Sequence, residues 1–160
     1  MKESEASFLK KIKARINKHA TAYALLHIAV IVPFFFLSFN YPGYGGPIFL
    51  AVLLFASAFV GSRLGDLERS LKLLLVSCVF AATLIFIIAY SALPAFITLL
   101  QKAPGWYRIL DPDYLLYFTP SHYGFVILGV VMIFTFMTFI VGFIGNVIGY
   151  AVSGIVGKRQ

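Results

Sequence analysis

Charged residues are scarce in this sequence, and cysteine is almost absent. Only 12% of the 160 residues are charged, against roughly 25% in typical soluble domains. This scarcity excludes an ordinary water-soluble domain, and together with 61% hydrophobic residues it predicts a membrane protein. Cys78 is the single cysteine. The chain therefore forms no intrachain disulfide and has no cysteine pair of the kind that binds zinc.

Catalytic motifs are missing as well. The sequence contains no GxSxG, HExxH, P-loop or CxxC pattern, so no motif supports an enzyme. Its long apolar runs carry no Asp, Glu, Lys or Arg near their centres, whereas a proton- or sodium-coupled transporter usually needs a carboxylate there. We therefore expect a protein without catalytic activity and without a bound cofactor.

Long apolar runs are what the sequence has in abundance. Four of them match or approach the roughly 20 residues that a helix needs to cross the hydrocarbon core of a bilayer. We predict spans at about 20–39, 47–64, 71–93 and 123–156. The predicted fold class is an all-α integral membrane protein in which residues 20–157 form a four-helix transmembrane domain. An outer loop at 101–122 joins the last two spans, and 158–160 form a basic C-terminus.

The basic residues favour one orientation in the membrane. If both termini are cytoplasmic, eleven of the thirteen basic residues lie inside, and only Lys102 and Arg108 lie outside, as the positive-inside rule requires. An interfacial belt would account for the aromatic residues at the outer boundary: Tyr41, Tyr44, Trp106, Tyr107, Tyr114, Tyr117 and Tyr123. We predict a multi-pass protein of the cell membrane, plasma or inner.

The first and last runs each allow a second interpretation. Run 20–39 follows a basic N-terminus, as in a signal peptide, but it exceeds the usual apolar region of about 7–15 residues and no clear cleavage site follows. We expect a retained span. A single helix over 123–156 would be about 50 Å long, against a hydrocarbon core of about 30 Å. Two short spans would instead place the basic C-terminus outside, so we favour the single helix.

Residues 1–19 have the pattern of a basic amphipathic helix. Phe8, Leu9, Ile12 and Ile16 fall on one helical face, and most of the basic residues fall elsewhere. Such a segment is typical of a helix that lies on the cytoplasmic leaflet and binds anionic lipid headgroups. A disordered tail that only sets topology is the alternative. Either explains the net charge of +7 without a nucleic acid partner.

The loop between the second and third spans has helical charge spacing. Asp66 with Arg69 and Glu68 with Lys72 are three and four residues apart, the spacings at which ion pairs form on a helix. The third helix is therefore expected to begin before the hydrocarbon core does.

Titratable side chains at depth are the usual indicators of function in a membrane protein. His27 and Cys78 lie at similar predicted depths and could form a metal or proton site, but two ligands are too few for a metal. We favour a neutral histidine that is hydrogen-bonded between helices. A haem held by two histidines would need a second one at matching depth, and neither His19 nor His122 meets that condition.

The outer loop gathers three more candidate ligands, Asp111, Asp113 and His122. They could hold a divalent cation or a polar group. Asp-Pro-Asp is also common turn chemistry, and we favour an ordered, aromatic-rich cap on the outer face.

Small residues recur every four positions in two of the spans. Such rows share one helical face and let helix backbones approach closely in lipid. The row in the last span comprises Gly145, Gly149, Ser153 and Gly157, with Gly142 before it and Asn146 beside it. The second span repeats the spacing with Ser57, Gly61 and Gly65. Asn146 could add an interhelical hydrogen bond. The rows predict either packing within the chain or a docking face for another subunit or copy.

These patterns favour a non-catalytic membrane subunit or an assembly protein that packs against other membrane helices. A small transporter or channel that forms by oligomerisation is the alternative. A membrane enzyme that uses His27 or the outer-loop group is the least supported.

Overall fold

A computed structural model describes the backbone of residues 2–41, 43–101 and 120–157, and the side chains of 19–41, 43–99 and 124–155. This part of the chain is entirely helical, without strands. The helices are α1 (Lys2–Asn40), α2 (Gly45–Leu64), α3 (Leu67–Ser91), α4 (Leu93–Gln101) and α5 (Pro120–Gly157).

The prediction of four helices that can span a membrane is confirmed. The segments that are long and apolar enough are His19–Asn40, Gly45–Leu64, Leu67–Ser91 and Gly124–Ile155. The last has 32 residues and is about 48 Å long at 1.5 Å per residue. α5 is unbroken through Gly142–Gly149, so the alternative of two short spans does not occur.

α1 is continuous, so the basic segment is not a separate helix. The helical backbone runs from Lys2 to Asn40 without a break, because positions 2–32 contain no glycine or proline to interrupt it. Pro33 lies inside this helix and does not end it, although a proline removes one backbone hydrogen bond of a helix. The location of residues 2–18 on the cytoplasmic leaflet stays a prediction.

A tight turn joins α2 to α3. Gly65 has a φ of 61°, the left-handed conformation that glycine adopts most readily at a helix C-terminus. The Asp66 side chain then caps α3 by accepting the backbone N–H of Arg69 at 3.2 Å, which satisfies a free donor of the first turn. Glu68 and Lys72 form the predicted ion pair. Gly65 therefore shapes the turn, and no heavy atom lies within 4 Å of a methyl group placed on it.

Side-chain contacts fix the directions of the helices. α1 is antiparallel to α2, since Tyr23 meets Phe59 and Phe34 meets Phe49. α5 is parallel to α2, since Phe134 stacks on Phe49 and the backbone of Asn146 meets Gly61. One end of the bundle thus carries His19, Leu64 and Leu67, with Arg63 and Arg69 beside them. We call it the basic end.

The interior differs between the two halves of the bundle. Toward the end opposite the basic end, phenylalanine rings from α1, α2, α4 and α5 pack together, with ring centroids 4.8–6.3 Å apart. The members of this cluster are Phe35, Phe39, Phe49, Phe96 and Phe134. Toward the basic end the buried residues include small or polar ones, among them His27, Ser57, Gly61 and Asn146, beside the apolar Val60 and Leu74. The buried polar side chains of His27, Ser57 and Asn146 therefore lie in the basic half.

Candidate functional site

The closest contact between helices in the described chain is the α2–α5 interface. We define it as Leu54, Ser57, Ala58 and Gly61 of α2 with Gly142, Gly145, Asn146 and Gly149 of α5. A methyl group on Gly145 would lie 2.6 Å from the carbonyl oxygen of Leu54 and 2.8 Å from Cβ of Ser57. One on Gly149 would overlap the Ala58 carbonyl, and one on Gly61 would overlap the Asn146 carbonyl. Backbone therefore meets backbone here, and only glycine fits at these three positions.

Gly142 completes this interface on the side of α3. A methyl group there would lie 2.8 Å from Cδ1 of Leu74 and 3.3 Å from Oγ of Ser57. Leu74 is fully buried, and the end of its side chain lies where a side chain at position 142 would otherwise be. Three helices consequently meet around this one residue.

The two rows of small residues thus meet each other within the chain over most of their length. Gly142, Gly145 and Gly149 face Ser57, Ala58 and Gly61. The row in α5 continues with Ser153, which is half-buried, and with Gly157. The Gly61–Asn146 contact places Leu64 level with Gly149, and the Ala58–Gly149 contact places it level with residue 155, so of these two only Gly157 lies past the end of α2 by both contacts.

Asn146 is fully buried in this interface but does not bond across it through its side chain. Its Nδ2 donates to the Gly142 carbonyl of its own helix at 3.1 Å, whereas the sequence left an interhelical hydrogen bond possible. The backbone of Asn146 lies against Gly61 of α2. Oδ1 of Asn146 has no hydrogen-bond partner among the described residues.

His27 provides the hydrogen bond between helices. Its Nε2 lies 3.2 Å from Oγ of Ser57, and both side chains are fully buried. Nδ1 of His27 has no partner among the described residues. From the sequence, Ser57 was only a member of the row of small residues in the second span. Its hydrogen bond to His27 arises because α1 and α2 are antiparallel, which brings positions 27 and 57 to the same depth.

Other buried hydroxyls in the described core are already satisfied. Ser70, Ser77 and Thr138 donate to the carbonyls of Leu67, Leu73 and Phe134 in their own helices, at 2.9, 2.8 and 2.7 Å. This pattern is common for hydroxyl side chains in membrane helices. His27 and Asn146 therefore stand apart, because each keeps a polar atom unpaired.

Cys78 lines a groove of about 530 Å³ between α3 and α5 that His27 does not line. A metal or proton site formed by Cys78 and His27 stays a hypothesis. Among the described residues, no group of three or more His, Cys, Asp or Glu side chains could hold a metal ion. Asp111 and Asp113 lie outside the described residues and His122 outside the described side chains, so the outer-loop site stays a prediction.

The groove beside Cys78 has few polar groups in its lining. Apolar side chains line it, together with Thr83 and Thr135, whose hydroxyls donate to Val79 and Val131 of their own helices at 2.9 and 2.7 Å. The only donor it leaves to a polar substrate among the described side chains is the weak one of the free Cys78 thiol. Among the described buried side chains, only those of His27 and Asn146 keep a nitrogen or oxygen atom without a hydrogen-bond partner.

Comparison with known proteins adds no assignment. No protein-family model, curated protein or solved structure matches this chain.

Proposed function

We propose that this chain is a non-catalytic integral membrane subunit or assembly protein of the cell membrane, with both termini in the cytoplasm. It would pack against a transmembrane helix of another subunit. The observation that carries the proposal is the stretch of α5 beyond its last close contact with α2. Residues 150–157 of α5 extend beyond Gly149, the last described glycine of α5 at which a methyl group would meet α2, a distance of about 12 Å.

The surface of this extension supports a helical partner. Ser153 and Gly157 continue the row of small residues that α5 uses against α2. Tyr150, Val152 and Ile155 are 44, 50 and 60% exposed. Membrane helices gain little from hydrophobic attraction and associate where small residues allow close approach. A partner helix would therefore extend an interface of the kind that α5 already makes within the chain.

Charge supports the proposed orientation. The described basic residues Arg63, Arg69 and Lys72 lie at the same end as the start of the first span, and positively charged residues near spans favour the cytoplasmic side. Six further basic residues precede position 19. Anionic headgroups of the cytoplasmic leaflet would attract them.

Native mass spectrometry of the complex extracted in mild detergent tests this function. The proposal predicts a mass above the 17.7 kDa of one chain, with a second protein released on dissociation. A lone monomer that extracts without any other protein would contradict it.

The second candidate is a small transporter or channel formed by several copies of the chain. The unpaired Nδ1 of His27 and Oδ1 of Asn146 favour it, because buried polar atoms in a membrane protein often serve a ligand or an ion pathway. Flux of small solutes or ions into proteoliposomes that contain this chain alone would support this candidate. A complex with a different protein and no flux would support the subunit.

A further inference from the structure

Two unpaired polar atoms lie in one buried cluster at the junction of α1, α2 and α5. Nδ1 of His27 and Oδ1 of Asn146 have no hydrogen-bond partner among the described residues, and both residues are 0% exposed. Their other polar atoms are bonded, to Ser57 and to Gly142. A methyl group on Gly142 would lie 3.3 Å from the Ser57 hydroxyl oxygen. Contacts through Ser57 and Gly142 thus connect the two side chains.

Such atoms rarely remain unpaired in a folded protein. More than about 90% of buried polar groups have a protein or water partner, and lipid offers neither donor nor acceptor. The neighbouring hydroxyls of Ser70, Ser77 and Thr138 follow this rule. The exceptions therefore indicate a ligand.

The available space restricts the size of that ligand. The groove between α3 and α5 and the smaller one beside α4 are lined by other residues. The backbones of Gly61 and Asn146 are in direct contact, and Leu74 fills the space next to Gly142. A cofactor or an organic substrate beside Gly61 and Gly142 would need these contacts to open.

The donors and acceptors define its chemistry. Oδ1 of an asparagine only accepts hydrogen bonds, whereas Nδ1 of a neutral histidine donates or accepts according to its tautomer. A partner for Oδ1 of Asn146 must donate, and a partner for Nδ1 of His27 must suit either tautomer. Water meets these conditions, and buried waters typically bond to two to four polar groups.

We propose that the cluster of His27, Ser57 and Asn146 is a hydrated site that binds at least one ordered water molecule. The site lies close to the basic end of the bundle. Gly61, which contacts Asn146, lies three residues from the end of α2, and Ser57 lies seven residues from it. These separations correspond to about 5 and 10 Å.

Water-edited solid-state NMR of the labelled full chain in lipid bilayers tests the proposal. It measures the transfer of magnetisation from water protons to individual side chains. We expect the imidazole of His27 or the side-chain amide of Asn146 to receive magnetisation several-fold faster than Thr138, an equally buried residue whose hydroxyl is bonded to Phe134. The His27→Phe variant identifies the imidazole signal by its loss, and the measurement on the unaltered chain does not depend on the variant folding.

Two results would overturn the hydrated site. One is transfer to both His27 and Asn146 that is as slow as transfer to Thr138, since the cluster would then be dry. The other is a metal ion that co-purifies in stoichiometric amount and binds Nδ1 of His27. The subunit function is tested separately by the mass of the complex, so either idea can fail while the other stands.

Discussion

Gly149 of α5 lies directly against Ala58 of α2, so that a methyl group at position 149 would overlap the Ala58 carbonyl oxygen. This contact shows what the glycines of the last span do. They reduce the separation of two parallel helices until backbone touches backbone. The glycine-rich part of α5 up to Gly149 is consequently an internal interface.

Gly149→Ala should destabilise the protein by about 1–3 kcal/mol, because the added methyl group has no room and the Ala58 backbone cannot rotate away. Gly154→Ala is the matched control, since no heavy atom lies within 4 Å of a methyl group placed there and alanine favours helix. The free energy of unfolding, measured by titrating SDS into mild detergent, distinguishes the two. Equal stability of both variants would show that the close contact is absent.

Gly142→Ala should cost less than Gly61→Ala, although both glycines are buried. The methyl group at position 142 meets the end of the Leu74 side chain, whereas the one at position 61 meets the backbone of Asn146. A flexible side chain shifts at a cost of about 1 kcal/mol or less, and a helix backbone does not. The same SDS titration ranks them, and the reverse order would refute the assigned contacts.

Ser57→Ala should destabilise the chain by about 1 kcal/mol, because it leaves Nε2 of His27 buried without a partner. The same change in a His27→Phe background should cost less, since the hydrogen bond is then already lost. Ser62→Ala is the control, because Ser62 is bonded only to the Phe59 carbonyl of its own helix in the described structure. A double-mutant cycle measures the coupling, and strictly additive costs would mean that His27 and Ser57 do not interact.

Phe35→Ala should be more destabilising than Phe125→Ala. Phe35 is fully buried and its ring meets those of Phe39, Phe96 and Phe134. Phe125 is 74% exposed. Lipid is as apolar as the core, so the cost of removing Phe35 arises from the cavity and lost packing, on the order of 2 kcal/mol. Thermal unfolding in detergent compares the two, and an equal loss of stability would contradict the phenylalanine cluster.

The number and approximate positions of the spans were predictable from the sequence, because length and hydrophobicity alone determine whether a helix can cross a bilayer. The unbroken α5 was predictable from charge, since a break would have moved Lys158 and Arg159 to the outer side of the membrane, against the positive-inside rule. The location of the polar cluster was predictable only in part. His27 was evident as a buried titratable group, but its partner depends on how α1 and α2 align.

Three features required the structure. Gly65 repeats the spacing of Ser57 and Gly61, yet it adopts a left-handed conformation in a turn, which periodicity does not reveal. Asn146 bonds through its side chain to its own helix, while its backbone lies against Gly61. Ala58 contacts Gly149 although it lies outside the predicted row. The last two outcomes depend on the relative rotation of α2 and α5, which a single sequence does not specify.

The mass of the native assembly, measured for the unaltered chain beside Ser153→Leu, tests the central claim most directly. A leucine at position 153 would block close approach of a partner helix at the extension of α5. Ala151→Leu is the control, since position 151 is exposed and lies nearly opposite on the helix. The account predicts a complex with another protein for the unaltered chain and for Ala151→Leu, and a monomer of about 17.7 kDa for Ser153→Leu. A monomeric unaltered chain, or a partner retained by Ser153→Leu, would contradict it.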